Sequence, residues 1–164
     1  MSFPLAIREA VRADVPLILT FIRELAAYER LAREVVATED GLAATLFGRE
    51  PRAEVLIAEV DGAAAGFALF FHNYSTFLGQ PGIFLEDLFV RPEHRARGVG
   101  RALLARLAAL AGERGCGRLE WAVLDWNLDA IRFYRRIGAT AMDEWTTFRL
   151  AGDALAQLAT EGRE

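Results

Sequence analysis

The sequence predicts a mixed α/β fold organised around one strand–helix–strand unit. The first strand is the apolar run Ile83–Val90, which Pro92 ends because proline fixes its own backbone and offers no amide for pairing. A helix follows, with its apolar residues spaced along one face at Val99, Leu103, Leu104, Leu107 and Leu110. The second strand is expected at Arg118–Val123. Such a crossover makes the two strands parallel, so both end at the same edge of the sheet, where ligands bind in open sheets.

The elements before the central strand are predicted from helix caps, apolar spacing and one tight turn. A first strand is expected at Leu5–Arg8. Asp14 can cap a helix that accepts Pro16 in its first turn and continues to about Leu31. The next expected elements are a helix capped by Thr38 and ending at Phe47, strands Val55–Val60 and Ala64–Tyr74 around the hairpin turn Asp61–Gly62, and a loop over Ser75–Gly82.

The elements after the central strand are predicted in the same way. The crossover helix is expected at Val99–Glu113, and the glycines on either side of Cys116 turn the chain into the second parallel strand. The last expected elements are a helix from Asn127 or Asp125 to Ile137, a strand near Trp145–Leu150 and a short helix after Asp153.

Composition narrows the class of protein. The 164 residues, without a linker or repeat, predict a single domain over 1–164. No apolar run reaches the roughly 18 residues of a membrane span, so we expect no membrane partner and a cytoplasmic location. One cysteine and two histidines make a metal site improbable, and a net charge of −4 argues against nucleic-acid binding. The chain has no lysine, which excludes Schiff-base chemistry.

The segment before the crossover helix predicts an anion site. It reads Arg95, Ala96, Arg97, Gly98, Val99, Gly100 and Arg101, and we call it the cradle loop. Glycines at a helix start let backbone amides approach a ligand, and those amides and the helix dipole favour a diphosphate. A Walker loop needs a lysine, and the dinucleotide fingerprint needs a glycine where Leu103 stands. Neither of these motifs fits the segment.

The remaining pattern, Arg95-x-x-Gly98-x-Gly100, resembles the coenzyme A loop of the GNAT N-acetyltransferase superfamily. The resemblance extends over Ile7–Ala10, Phe84–Asp87 and Phe133–Ala139. Over nearly its whole length the chain is similar to the diamine (spermidine/spermine) and thialysine N-acetyltransferases, and the stretch Ala122–Asn127 is closer to the thialysine branch. The resemblance implies the GNAT fold, with helices on both faces of a mixed sheet and a splayed parallel strand pair.

The same resemblance implies which residues hold acetyl-CoA, the expected cosubstrate; no metal is expected. The pantetheine arm would pair with backbone amides freed where the two parallel strands splay. Besides the cradle loop, the implied cofactor-binding residues are Leu88, Phe89, Val90, Asn127, Ala130 and Tyr134. Asn127 can bond the pantetheine, but a plain helix cap is equally consistent with the sequence.

Two adjacent acids and one phenol are the candidate catalytic residues. Glu86 and Asp87 interrupt an apolar strand, where an unpaired buried carboxylate costs several kcal/mol. Adjacent strand residues face opposite sides unless a bulge re-aims one, so the alternative is one solvated acid and one acid capping an amide. By resemblance Glu86 is the general base, acting through water, and Asp87 holds a cationic group of the substrate. Tyr134 is the general acid for the coenzyme A thiolate, although Phe133 and Tyr134 could both be core aromatics.

The amine substrate is expected to meet five residues, namely Tyr28, Glu29, Phe77, Glu86 and Asp87. For Tyr28 and Glu29 the alternative is a packed ring and a solvated acid. Diamine acetyltransferases carry an acid where Ser75 stands, and that acid would hold a distal ammonium. A short amine such as thialysine is therefore expected in preference to spermidine.

The function predicted from these features is acetyl-CoA-dependent N-acetylation of a small primary amine by direct transfer in a ternary complex. Two rivals are a protein or peptide N-terminal acetyltransferase and a non-catalytic acyl-CoA-binding regulator. The presence of Glu86 and Tyr134 argues against the regulator. The resemblance also implies a homodimer whose final strands contribute to the partner subunit.

Overall fold

The computed structural model describes residues 4–163. The chain forms two compact units, Met1–Leu124 and Asp125–Glu164, which we describe one after the other. Among the described residues, no helix is long and apolar enough to cross a membrane.

The first unit contains one sheet of five strands in sequence order, and only its last pair is parallel. The strands are β1 (Leu5–Glu9), β2 (Glu54–Val60), β3 (Ala63–Ser75), β4 (Gln80–Val90) and β5 (Leu119–Trp121). The helices of this unit are α1 (Val15–Tyr28), α2 (Glu39–Phe47) and α3 (Val99–Glu113). The predicted crossover is confirmed, because β4, α3 and β5 follow one another and β4 pairs with β5 in parallel.

Helices cover both faces of this sheet, as predicted. On one face, α1 and α2 pack against alternate strand residues in a cluster that includes Phe21, Leu46, Ile57 and Phe67. The intervening strand residues point to the opposite face. There α3 buries Val99, Leu103, Leu104, Leu107 and Leu110. Arg114, at the end of α3, lies 5.9 Å from the ring centroid of Phe70, which places α3 on the face opposite α1.

Several predicted boundaries hold, and three differ. The strand predicted at Arg118–Val123 forms only Leu119–Trp121, and the loop predicted at Ser75–Gly82 is shorter because β3 includes Ser75 and β4 begins at Gln80. The third difference is a helix end. The bounds of α3 are as predicted, and Thr38 caps α2 by accepting a hydrogen bond from the Gly41 amide at 3.1 Å. The first helix was expected to reach about Leu31, but α1 ends at Tyr28. Arg30 adopts a positive φ of 64°, and the Leu31 amide bonds back to the Ala26 carbonyl at 2.7 Å. This is the closure that glycine usually makes, so an arginine there gave no stop signal.

The second unit contains α4 (Leu128–Arg136) and α5 (Gly152–Glu161). Asn127 caps α4, which confirms one of the two starts predicted for this helix. The strand predicted near Trp145–Leu150 is wrong, since no strand forms in the described part of this unit. Trp145 and Phe148 are 72% and 92% exposed. Aromatic and β-branched residues in this stretch favour a strand, but a strand also needs a hydrogen-bonded neighbour, which the stretch does not have among the described residues of its unit.

Candidate active site

The second half of β4 is paired on one side only. Pairing with β5 covers Ile83 to Leu85 and stops there, whereas β4 continues to Val90. From Glu86 onward the strand pairs with β3 alone. The backbone groups of Leu88, Phe89 and Val90 therefore lie in a stretch with an open edge toward β5, where the sequence predicted the splay.

A bulge separates the two adjacent acids at the start of this stretch. Leu69 of β3 pairs with Asp87 and the next residue, Phe70, pairs with Leu85, so Glu86 is the extra residue on β4. An extra residue suspends the strict alternation of sides. Glu86 is exposed and Asp87 is half-buried. The bulge meets the condition under which both acids can serve one site.

Glu29, Glu86 and Asp87 form a group that we call the acid cluster. Burial, together with the smaller effects of the charges of Glu86 and Glu29, raises the pKa of Asp87 to about 6. Burial also raises the pKa of Glu29. Every influence on Asp87 disfavours its charged form, and none of them comes from a cation of the described chain. The acid cluster is therefore a site of negative charge that a bound cation would stabilise.

Tyr28 lies beside this cluster, at the end of α1 and directly before Glu29. The guanidinium carbon of Arg95 lies 4.8 Å from the centroid of the Tyr28 ring and 5.7 Å from that of Phe89. Arg95 Nε donates to the Val90 carbonyl at 2.8 Å. The structure therefore brings together Tyr28, Glu29, Glu86 and Asp87 as the sequence predicted, and it adds the side chain of Arg95 to them.

The cradle loop leads into α3 through two residues with positive φ, Ala96 at 60° and Gly98 at 79°. Gly98 is the N-cap residue of α3 and has no side chain that could bond the helix amides. The amide of Ala102 makes the first intrahelical bond, to the Gly98 carbonyl at 2.9 Å. Amides earlier in the helix have no intrahelical acceptor, and the helix dipole adds positive potential there. A Cβ on Gly100 would come within 3.8 Å of Val90 Cγ2, an ordinary contact. This geometry suits a diphosphate.

Arg91, which lies between β4 and the cradle loop, has a structural role. Its Nε and Nη2 donate to the two carboxylate oxygens of Glu24, both at 3.0 Å, and its Nη1 donates to the Ala64 carbonyl. The guanidinium also lies 4.9 Å from the centroid of the Phe21 ring. Arg91 ties the end of β4 to α1 and β3.

Three of the predicted site residues belong to the second unit. Asn127 Oδ1 accepts a hydrogen bond from the Ala130 amide at 3.3 Å, so the plain cap interpretation is confirmed for this contact. Tyr134 lies on α4, and its ring centroid is 5.6 Å from that of Phe133. The roles of Asn127, Ala130 and Tyr134 toward a ligand stay predictions.

Among the predicted substrate residues, Phe77 lies far from the acid cluster of the same chain. It lies at the β3–β4 hairpin tip and is 90% exposed. The first residue of β4, Gln80, pairs with Ser75, and Glu86 follows six residues later, about 20 Å along an extended strand. The same tip holds Ser75, whose Oγ accepts hydrogen bonds from Arg118 and from the Leu78 amide. The length of the β3–β4 hairpin sets the distance between its tip and the acid cluster, and that length could not be predicted from the sequence.

Comparison with known proteins identifies the class to which this fold and site belong. The family model described as "Acetyltransferase (GNAT) family" matches residues 21–139, which include the acid cluster, the cradle loop and α4. The chain belongs to the GNAT acetyltransferase family, and it is an N-acetyltransferase. Members of this family use acetyl-CoA as cosubstrate.

Individual relatives are similar over nearly the whole chain. The chain is 40% identical to the thialysine N-epsilon-acetyltransferase of Bos taurus, over 93% of this chain and 96% of that protein. It is 37% identical to the L-ornithine N5-acetyltransferase NATA1 of Arabidopsis thaliana, over 91% and 85% of the two chains. Among solved structures, the integron cassette protein VCH_CASS6 of V. cholerae is similar with a TM-score of 0.79 at 27% identity, covering 97% of this chain and 98% of that one.

Proposed function

We propose that the chain transfers the acetyl group of acetyl-CoA to the terminal amine of a short amino acid of the thialysine or ornithine type. The observation that carries this proposal is the acid cluster, three carboxylates at the open end of β4 with no cation among the influences on Asp87. An ammonium group would supply the missing positive charge. The names of the relatives from Bos taurus and Arabidopsis thaliana support an amine that carries its own carboxylate.

The acid cluster also provides the proton acceptor that the reaction needs. A primary ammonium has an ordinary pKa of about 10.4 and must lose a proton before its nitrogen can attack the acetyl carbonyl. Glu86 was predicted to take this proton through water, and its exposed position on the bulge suits contact with solvent. Asp87, with a pKa of about 6, is a second acceptor that is both charged at neutral pH and more basic than an ordinary carboxylate. The proposal keeps both acids in the proton path.

The cradle loop and the open edge of β4 would hold acetyl-CoA. The diphosphate would meet the amides around Gly98 and Gly100, with Arg97 and Arg101 nearby in sequence. Val99 is buried and offers only its backbone. The pantetheine arm would follow the backbone from Leu88 to Val90, and the open edge there is what supports this path. Tyr134 would protonate the thiolate that leaves after the nitrogen–carbon bond has formed and the carbon–sulfur bond has broken.

A second ammonium finds no acid at the hairpin tip. Ser75 is bonded to Arg118 and stands at the far end of β4 from the acid cluster. A polyamine would lack a charge-assisted contact there, worth about 1.5–3 kcal/mol. This favours short amines over spermidine. The homodimer and the cytoplasmic location stay predictions.

The test is mass spectrometry of the products formed from acetyl-CoA and a panel of amines. The panel contains thialysine, ornithine, spermidine and a peptide with a free N-terminus. We expect the two amino acids to be acetylated at the side-chain amine with a higher kcat/KM than spermidine, and the peptide to remain unmodified. Preferential acetylation of spermidine or of the peptide would contradict the proposal.

A further inference from the structure

The side chain of Arg95 turns away from the helix terminus that it precedes. Its guanidinium lies over the rings of Tyr28 and Phe89, at 4.8 and 5.7 Å, and its Nε donates to the Val90 carbonyl at 2.8 Å. Tyr28 belongs to α1 and Phe89 and Val90 belong to β4. One arginine of the cradle loop therefore joins α1 to the end of β4, and Tyr28 is its contact on the amine side.

This arrangement separates Arg95 from the other arginines of the loop. A guanidinium stacked on aromatic faces and held by a backbone carbonyl has its planar surface and one donor already engaged. The positive charge of Arg95 is not among the influences on the pKa of Asp87 or Glu29, so it does not neutralise the acid cluster. The contact with Tyr28 is the interaction that reaches the amine side.

We propose that Arg95 is a positioning residue of the amine site, which acts by holding the Tyr28 ring and with it the position of Glu29. The inference rests on the proposed function, because Tyr28 and Glu29 are placed at the amine site by that proposal. The inference goes beyond the proposed function because it assigns the Arg95 side chain to the amine site and not to the diphosphate.

The position of Arg95 in the chain links the two substrates. The residue lies in the cradle loop, three residues before Gly98, while its side chain contacts Tyr28. A diphosphate that orders the loop backbone also orders the guanidinium, and through it the Tyr28 ring. Binding of the cosubstrate would thereby prepare the amine site, a coupling that is reciprocal by thermodynamic necessity.

Steady-state kinetics of Arg95→Gln and Arg97→Gln test this assignment. We expect Arg95→Gln to raise the KM for the amine about three- to thirty-fold, the range of a cation–π contact, with a smaller change in the KM for acetyl-CoA. Arg97→Gln, a matched loss of charge two residues away, should mainly raise the KM for acetyl-CoA. Arg95→Lys keeps the charge but not the planar stack, so it should fall between wild type and Arg95→Gln.

A double-mutant cycle with Tyr28→Leu distinguishes positioning from a general structural defect. Tyr28→Leu removes the ring that Arg95 holds, so adding Arg95→Gln should cause little further rise in the KM for the amine. Full additivity of the two changes would overturn the proposal. It would also be overturned if Arg95→Gln raised the KM for acetyl-CoA and left that for the amine unchanged.

A readout without catalysis keeps the test independent of the amine. The chain has three tyrosines, so ring-labelled tyrosine gives few NMR signals, and Tyr28→Phe assigns those of Tyr28. Coenzyme A alone should shift the Tyr28 signals in wild type, and it should shift them less in Arg95→Gln at saturation verified by calorimetry. Unmoved Tyr28 signals in wild type would exclude the link. A failure to acetylate any amine would instead refute the proposed function and leave this measurement valid.

Discussion

The two halves of β4 belong to one strand and have different roles. The first half, through Leu85, is paired with β3 on one side and β5 on the other, and Ile83 is fully buried. The second half, from Glu86, is paired on one side, carries a bulge and holds a half-buried acid with a raised pKa. Burial of apolar groups in the first half stabilises the sheet, whereas burial of Asp87 in the second half destabilises it.

The difference shows how one strand can serve both packing and chemistry. The loss of one neighbour opens backbone groups to a ligand, and the bulge suspends the alternation of sides at the two adjacent acids. The paired half fixes the position of that end. Substitutions in the two halves should therefore separate activity from stability, and the predictions below use this separation.

The largest effect is expected for Asp87→Asn. Loss of a proton acceptor should lower kcat/KM about 10²- to 10⁴-fold at neutral pH, the usual contribution of general acid–base catalysis. The measurement is the rate of amine acetylation at saturating acetyl-CoA. Glu120→Gln is the matched control, since Glu120 is a carboxylate of β5 that accepts a hydrogen bond from Asn73 in the paired half. Its kcat/KM should stay close to that of wild type. A fully active Asp87→Asn protein would leave Glu86 as the only acceptor.

The paired half should respond in stability instead. Ile83→Ala removes a fully buried side chain and should lower the free energy of unfolding by about 2–5 kcal/mol. The KM values of the protein that remains folded should change little, because Ile83 precedes the bulge. Urea denaturation measures the first effect, and kinetics at low temperature measure the second. A large rise in the KM for acetyl-CoA without loss of stability would contradict the division of β4 into two halves.

The sequence predicted the paired half better than the open half. The apolar run and the crossover helix sufficed for the parallel order, since β4 and α3 each bury apolar residues and the short β5 pairs with β4 in parallel. The bulge at Glu86 was required by the chemistry but could not be located from alternation alone. Its position depends on the register with β3, which is a property of the pairing between strands and not of one segment.

The sequence also could not predict which way the arginine side chains near the cradle loop point. Arg91 and Arg95 have the same charge and lie four residues apart, yet one pairs with Glu24 and the other stacks on Tyr28. Both partners are on α1, whose position relative to β4 is set by the packed cluster around Phe21. Helix ends show the same dependence, since the stop of α1 at Tyr28 uses a positive φ at Arg30 that only the folded chain reveals.

Cosubstrate binding gives a smaller effect, which tests the start of α3 beside the open half of β4. Gly100→Val places a branched side chain among the amides of the helix start and should weaken acetyl-CoA binding roughly ten- to a hundred-fold, about the loss of one charge-assisted contact. The fold should survive, because a Cβ there meets only Val90 Cγ2 at 3.8 Å. Calorimetry measures the affinity.

Gly112→Val is the control for Gly100→Val. Gly112 lies in the same helix, at the end away from the cradle loop, and a Cβ there meets nothing within 4 Å. Its acetyl-CoA affinity should equal that of wild type. Equal affinities for both valine variants would exclude the start of α3 as the diphosphate site.

The smallest effect is the dependence of stability on pH, and it has opposite signs for two aspartates. The pKa of Asp87 is about 6 in the folded chain against an ordinary value of 3.8, so the folded state binds more protons than the unfolded state between these values. The free energy of unfolding must therefore fall as the pH rises from about 4 to about 6, by on the order of 1–3 kcal/mol. Asp87→Asn should remove this fall and make the protein more stable than wild type at neutral pH, despite its lower activity.

Asp14 is the contrast, because hydrogen bonds from Arg8 at 2.8 and 3.0 Å lower its pKa. Its contribution is present above the ordinary pKa and is lost as the pH falls below it, so Asp14→Asn should destabilise the protein at neutral pH. Urea denaturation of wild type and both variants at pH 4.5 and 7.5 measures these differences. A neutral-pH loss of stability in Asp87→Asn would show that Asp87 is a paired structural acid and not part of an uncompensated cluster.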